Sequence, residues 1–295
     1  MVLTPVVGLL ALAMVVVPIL LPRDTVWALV LVPVAIANPT LWALIHEAIH
    51  GVLADNRRSN LVAARLLSIA HGAPFALLRA GHLLHHRYNR TELDAAEAYD
   101  PALVRPWSAR VAYYWRLCGG LYVAEVLAAP ALLLPARRLR ALAAQLGRSQ
   151  PIVPHLIETI LRTRTLGAAR VDALAVFGVH GAVLWAYGDH AWMYVALLAS
   201  RALSVSVLDN VYHYGTPLTA RAFALNLHAP RLVQAMMLNF TLHGVHHRHP
   251  ELPWHRLPEH FAGDGDRHHA TLGALLARQF RGPIDIARLR EPAGN

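Results

Sequence analysis

The chain has 295 residues, 56% of them hydrophobic and only 15% charged, with a mean hydropathy of +0.37, where an ordinary soluble domain carries roughly 25% charged residues. The formal charge of +9 comes from 27 basic residues, all arginine; arginines flanking long apolar runs mark the cytoplasmic face of a membrane protein rather than a nucleic-acid surface. The single cysteine, Cys118, excludes an internal disulfide, a cysteine-held iron–sulfur cluster and a structural cysteine–zinc site, so any metal here is held by nitrogen and oxygen.

Residues 2–21 carry no charge and as a helix cover about 30 Å, the thickness of a bilayer's hydrocarbon core. The run lacks the basic start and small-residue cleavage site of a signal peptide and reads as a retained span. Residues 25–45 form a second span, kinked at Asn38–Pro39, that runs straight into His46 and His50. Residues 51–107 are mixed and arginine-rich, with an amphipathic run near 61–80, and read as a cytoplasmic segment on the membrane surface. Residues 111–134 are apolar but interrupted by Arg116, Gly119–Gly120, Glu125 and Pro130. Residues 171–187 and 191–208 are two apolar runs joined by Tyr187-Gly-Asp-His190, a tight transmembrane hairpin.

Parity settles the interrupted run. A full crossing at 111–134 would export the stretch holding Arg137, Arg138, Arg140, Arg148, Arg162, Arg164 and Arg170, against the positive-inside rule. Read as interfacial or re-entrant, it leaves four crossings and puts both chain ends and every histidine cluster in the cytoplasm. Beyond Pro250, a proline-rich stretch and an amphipathic run at 270–280 suggest a cap. The expected architecture is a single-domain, all-α integral membrane protein over 1–295: about four transmembrane helices, interfacial helices and a cytoplasmic histidine-rich cap.

Eight histidines fall in three clusters: His46 and His50; His82, His85 and His86; His243, His246 and His247. Spacings of three and four residues put side chains on one helical face within about one turn, so the rings of a cluster can converge on one centre. Eight ligands are too many for one tetrahedral zinc and suit two metals. Imidazole binds iron well, and an all-nitrogen shell with open positions suits oxygen activation. His213 is a ninth candidate. Asp209, one turn earlier on the same face, could ligate metal, hold a bound water or orient His213. For each of the ten remaining histidines an ordinary surface or hydrogen-bonded role is the better reading. His46-Glu-Ala-Ile-His50 also matches the zinc-protease pattern HExxH, but that reading leaves both HxxHH clusters unexplained.

With these residues in order, the chain resembles the membrane fatty acid desaturase and hydroxylase superfamily, marked by three histidine boxes of the types HxxxH, HxxHH and HxxHH. His213 resembles that family's extra ligand ahead of the last box, and Asp209 stands where relatives often carry asparagine. The resemblance implies two non-haem iron ions held by His46, His50, His82, His85, His86, His213, His243, His246, His247 and Asp209, with molecular oxygen as co-substrate. It implies removal of hydrogen from an unactivated C–H bond of a membrane lipid or fatty acyl chain. Loss of a second hydrogen gives an alkene; the same-site alternatives are hydroxylation, ketolation or oxidative decarboxylation. Glu47 is then a bystander or a support behind the ligands. No haem-attachment or iron–sulfur motif is present, so electrons come from a separate partner such as a ferredoxin or its reductase, and the expected location is a bacterial inner membrane with the active site on its cytoplasmic side.

Two polar groups lie inside the hairpin. His180 and Arg201 fall nine and eight residues from its ends near Val171 and Asp209, roughly 12–14 Å into the bilayer. An intramembrane arginine costs at least about 2.5 kcal/mol on insertion scales. The favoured reading is a structural hydrogen bond between helices; the sharper one places Arg201 in the substrate cavity.

Overall fold

A computed structural model describes residues 2–218 and 223–290. Helix α1 (Leu3–Leu20) contains no charged residue, and its ladder loosens into a π turn at Leu12–Val16 just before Pro18, which has no N–H to donate. Helix α2 (Thr25–Ile36) starts beneath Asp24, whose side chain accepts from the Val26 amide at 2.9 Å. Helix α3 (Asn38–His50) follows after a 44° bend, placed by Asn38–Pro39 as the sequence predicts, and ends at Gly51 with φ 83°.

Helix α4 (Arg57–His71), capped by Asn56, and helix α5 (Phe75–Tyr88) meet at 98°. The continuous surface run expected near 61–80 is therefore two helices, because Gly72 at φ 111° and then Pro74 stop the first. Nor does α4 lie wholly at the surface. Its Leu67, Ser68 and His71 are buried, Arg65 pairs with Asp172 at 2.6 Å, and the Ile69 carbonyl accepts from His180 Nε2 at 2.9 Å.

Helices α6 (Pro106–Trp115) and α7 (Leu121–Ala131) are separated by a break at Cys118 and Gly119. Gly119, at φ 119°, lies so close to Ala202 that a Cβ there would be 3.3 Å from the alanine's. The segment begins beside Asn210, which donates to Tyr113 Oη at 3.2 Å. It ends where Arg170 donates to the carbonyls of Leu132 and Leu134. Helices α8 (Ala136–Leu146) and α9 (Ile152–Arg162) form an amphipathic pair whose Leu139, Ala143, Ile157 and Ile160 pack with Leu77 and Ala80 of α5.

Helices α10 (Leu166–Tyr187) and α11 (Ala191–Val211) fold back on each other at Gly188, with Tyr194 Oη 3.0 Å from His180 Nδ1. Arg170 and Asn210 thus mark the same end of this hairpin, and the 106–134 segment starts and finishes at that end. Arg201 is fully buried, Nε donating to Asn38 Oδ1 at 3.1 Å and Nη1 to the carbonyls of Ala70 and His71 at 2.8 Å each. Both groups tie the hairpin to the end of α4, the hydrogen bonding that the structural reading of Arg201 and His180 expects. Leu3–Leu20 and Leu166–Val211 are each long and apolar enough to cross a membrane, and each of the two bent pairs, α2 with α3 and α4 with α5, passes the same test when taken together.

The rest is a cap of short helices: α12 (Arg231–Met236), α13 (His243–Arg248), α14 (Leu257–Gly263), α15 (Leu272–Gln279) and α16 (Ile286–Arg290). Two parallel two-residue ladders stitch it, Ala98–Tyr99 to Ile284–Asp285 and Leu227–His228 to Ala270–Thr271. The fully buried Arg90–Glu97 pair, 2.9 Å apart, fastens the loop after α5 to the cap, since Arg90 also reaches the Thr216 carbonyl and Glu97 accepts from the Gly215 amide.

Candidate metal centre

The histidines arrive from four elements that meet at the cap side of the bundle: the end of α3, the last two turns of α5, the turn following α11, and α13. They form two groups. His46, His50, His82, His86 and His246 make one and His85, His213, His243 and His247 the other, with the potential ligand atoms of each group within 4.8 Å of one another. All nine predicted histidines are thus brought together, but the HxxHH clusters do not each serve one centre. His82 and His86 join the first group and His85 the second, while His243 and His247 join the second and His246 the first. Helical geometry gives the reason. At about 100° per residue, positions i and i+4 diverge by about 40°, whereas i+3 lies about 100° from i+4. The i, i+4 pair therefore stays together and the middle histidine is handed across.

The spacing of the nitrogens tests whether metal fits. His82 Nε2 lies 2.9 Å from His50 Nε2 and 3.0 Å from His86 Nε2, and His86 Nε2 lies 3.0 Å from His246 Nε2. In the second group His247 Nε2 is 3.1 Å from His243 Nε2 and 3.3 Å from His85 Nε2. Ligands about 2.1 Å from one ion and at right angles to each other are separated by about 3.0 Å, and opposite ones by about 4.2 Å. The observed separations match such a shell. Without a cation the arrangement is unfavourable, because neutral imidazoles offer one lone pair and one proton each and cannot all satisfy one another. Neither ring nitrogen of the buried His46 has a hydrogen-bond partner.

Electrostatics agree. Burial first, and then the neighbouring histidines, hold His213, His243, His246 and His247 well below the ordinary value near 6.5, so they are neutral and ready to donate a lone pair. Phe240 closes the inner side of the site, its ring centroid 4.6 Å from those of His46 and His243. Beside Phe240 lies a mostly apolar recess of about 20 Å³ bounded by Pro39, Trp42, Ser204, Val205, Leu208 and Met237.

Asp209 stands outside both groups. Its carboxylate is 3.1 Å from Arg116, and both side chains are partly exposed. The carboxylate that does touch a clustered histidine is one that sequence reasoning missed: Asp94 Oδ2 is 2.6 Å from His85 Nδ1, the nitrogen turned away from its group. Burial alone would push the Asp94 carboxyl up, but His85, with Arg116 and Arg90, outweighs it and holds the group below its usual range. A carboxylate behind a ligand fixes the imidazole's tautomer and orientation. Glu47 faces elsewhere: its carboxylate accepts from the Trp254 amide at 2.9 Å and anchors the proline-rich stretch of the cap, a structural task rather than that of a protease base.

The arrangement defines a membrane-associated helical protein with a buried all-histidine centre able to hold two cations. The profile of the family described as fatty acid desaturase matches residues 25–272, and the chain belongs to that family. No curated protein and no solved structure gives a significant match.

Proposed function

We propose that the protein is an oxygen-dependent di-iron acyl-lipid desaturase that introduces a double bond into an unactivated fatty acyl chain. The observation that carries this is the pair of histidine groups of right-angle spacing at the ends of apolar helices, in a chain of the fatty acid desaturase family. Two bound iron ions would supply oxygen activation and removal of hydrogen from carbon. The chain's own residues hold that centre in place. The five-histidine group would carry one ion and the four-histidine group the other, with Asp94 holding His85 by its outer nitrogen. The Phe240 ring, packed on His46, presents an apolar surface beside the centre against which a chain carbon can lie. Electrons come from a separate ferredoxin-like donor.

The membrane is a bacterial inner membrane crossed four times, with the centre on the cytoplasmic side. The return of the 106–134 segment to the Arg170 end of the hairpin supports a re-entrant passage there. A topology reporter fused after Gly147 reads cytoplasm under this arrangement and the opposite side if 111–134 crosses. The activity is tested by lipid profiling of a host expressing the protein beside a His85→Ala control. New unsaturated chains dependent on His85 are expected; hydroxylated chains instead would move the reaction to the same-site alternative, and an unaltered profile in hosts supplied with a ferredoxin and its reductase would overturn acyl-lipid oxidation.

A further inference from the structure

Away from the histidine centre, α1, α4 and α10 enclose a groove of about 1070 Å³, and none of the nine clustered histidines lines it. Its walls are apolar, with Val7 and Met14 from α1, Leu66 from α4 and Trp185 from α10. Along α1 it runs from Leu3 to Ile19, about 24 Å at 1.5 Å per residue, the length scale of an extended lipid chain. It is open on its outer side: Val7 is 48%, Leu66 63% and Trp185 85% exposed. One end differs from the rest, because Arg58 and Ser59 line it beside Leu3. Among the described residues no carboxylate lies within ion-pairing distance of Arg58, whereas Arg65, two turns further along the same helix, is bonded to Asp172. An unpaired cation at the mouth of a long apolar slot complements an amphiphile with an anionic head and an aliphatic tail.

We infer that this groove binds one anionic phospholipid of the surrounding bilayer, its phosphate on Arg58 and Ser59 and an acyl chain laid between α1 and the α4–α10 wall. The opposite edge of α1 is packed, with Val6 in the core cluster of Leu41 and Leu44, so the lipid would complete the packing of the helix on its open side. A second copy of the chain is the poorer occupant. A two-fold contact presents the same surface from both sides, and no acidic residue lines this groove to meet Arg58. The lipid is separate from any substrate, and the inference does not depend on metal or turnover.

The test is native mass spectrometry and thermal unfolding of the detergent-purified full chain, titrated with phosphatidylglycerol and phosphatidylcholine of matched chains. One tightly held phosphatidylglycerol per chain is expected, preferred about 5-fold over phosphatidylcholine and raising Tm. Arg58→Gln should abolish the preference and Arg58→Lys should keep most of it, since about 1 kcal/mol per surface cation corresponds to roughly 5-fold in affinity. Val62→Trp, which fills the groove, should weaken both lipids. Equal binding of the two lipids by the unaltered chain, a preference that survives Arg58→Gln, or dimerisation that excludes lipid from this face would overturn the assignment.

Discussion

Around Arg201 the buried polar groups are used up by one another; around His46 they are left over. Arg201 spends its donors on Asn38 and on the carbonyls of Ala70 and His71, and His180 is held at both ring nitrogens by Ile69 and Tyr194. The exceptions beside them are the His71 ring, 3.9 Å from Glu125, and the buried Ser68 hydroxyl, which have no hydrogen-bond partner among the described residues. At the cap side of the bundle, ring nitrogens of His50, His82, His86 and His246, and of His243 and His247, stand about 3 Å apart, and neither ring nitrogen of the buried His46 has a hydrogen-bond partner. A buried polar group without a partner costs free energy. The satisfied cluster therefore reads as architecture and the unsatisfied one as a metal site.

The contrast breaks if ligand loss is tolerated. Removing one imidazole from a filled shell costs more than removing an outer partner, itself worth about 10 to 100-fold. His50→Ala, His86→Ala, His213→Ala and His246→Ala should each reduce turnover by more than about 100-fold and lower iron content. Full activity in two of the four would overturn the assignment. Arg201→Leu should act on folding. Each acceptor left unpaired costs about 1–3 kcal/mol, so folded yield and Tm should fall steeply, while the protein that does fold keeps its iron content and product. A stable Arg201→Leu protein with altered products would put this arginine back in the substrate cavity. Asp94→Asn gives the smallest effect, sharpening the comparison from within the site. It should weaken metal retention in the four-histidine group by about 10 to 100-fold without changing the helical content seen by circular dichroism, and Asp94→Glu should restore part of the loss. Equal resistance of Asp94→Asn and the unaltered chain to a chelator would remove Asp94 from the centre.

Much of this was legible in the sequence, for local reasons. Long uncharged runs announce α1 and the α10–α11 hairpin, Asn38–Pro39 announces the bend before α3, and histidines at i, i+3 and i+4 announce metal. What was not legible depends on tertiary contact. The division of each HxxHH box between two groups follows from helix geometry only once two facing helices supply partners on both sides. Asp94 reaches His85 from a loop, with no periodic signal. Asp209 carries the right residue type one turn from His213, but Arg116, brought in by the break at Cys118–Gly119, faces its carboxylate instead. The amphipathic run near 61–80 misled because its periodicity continues across Gly72 and Pro74, two residues that end one helix before the next begins.

The central claim is that the two histidine groups are two metal sites, and metal counting tests it most directly. Protein purified aerobically from iron-supplied cells, with no added chelator, should contain two irons per chain by elemental analysis. His86→Ala should deplete chiefly the five-histidine site and His213→Ala chiefly the four-histidine one, each leaving closer to one iron. A single zinc per chain, or two irons retained in both variants, would contradict the account.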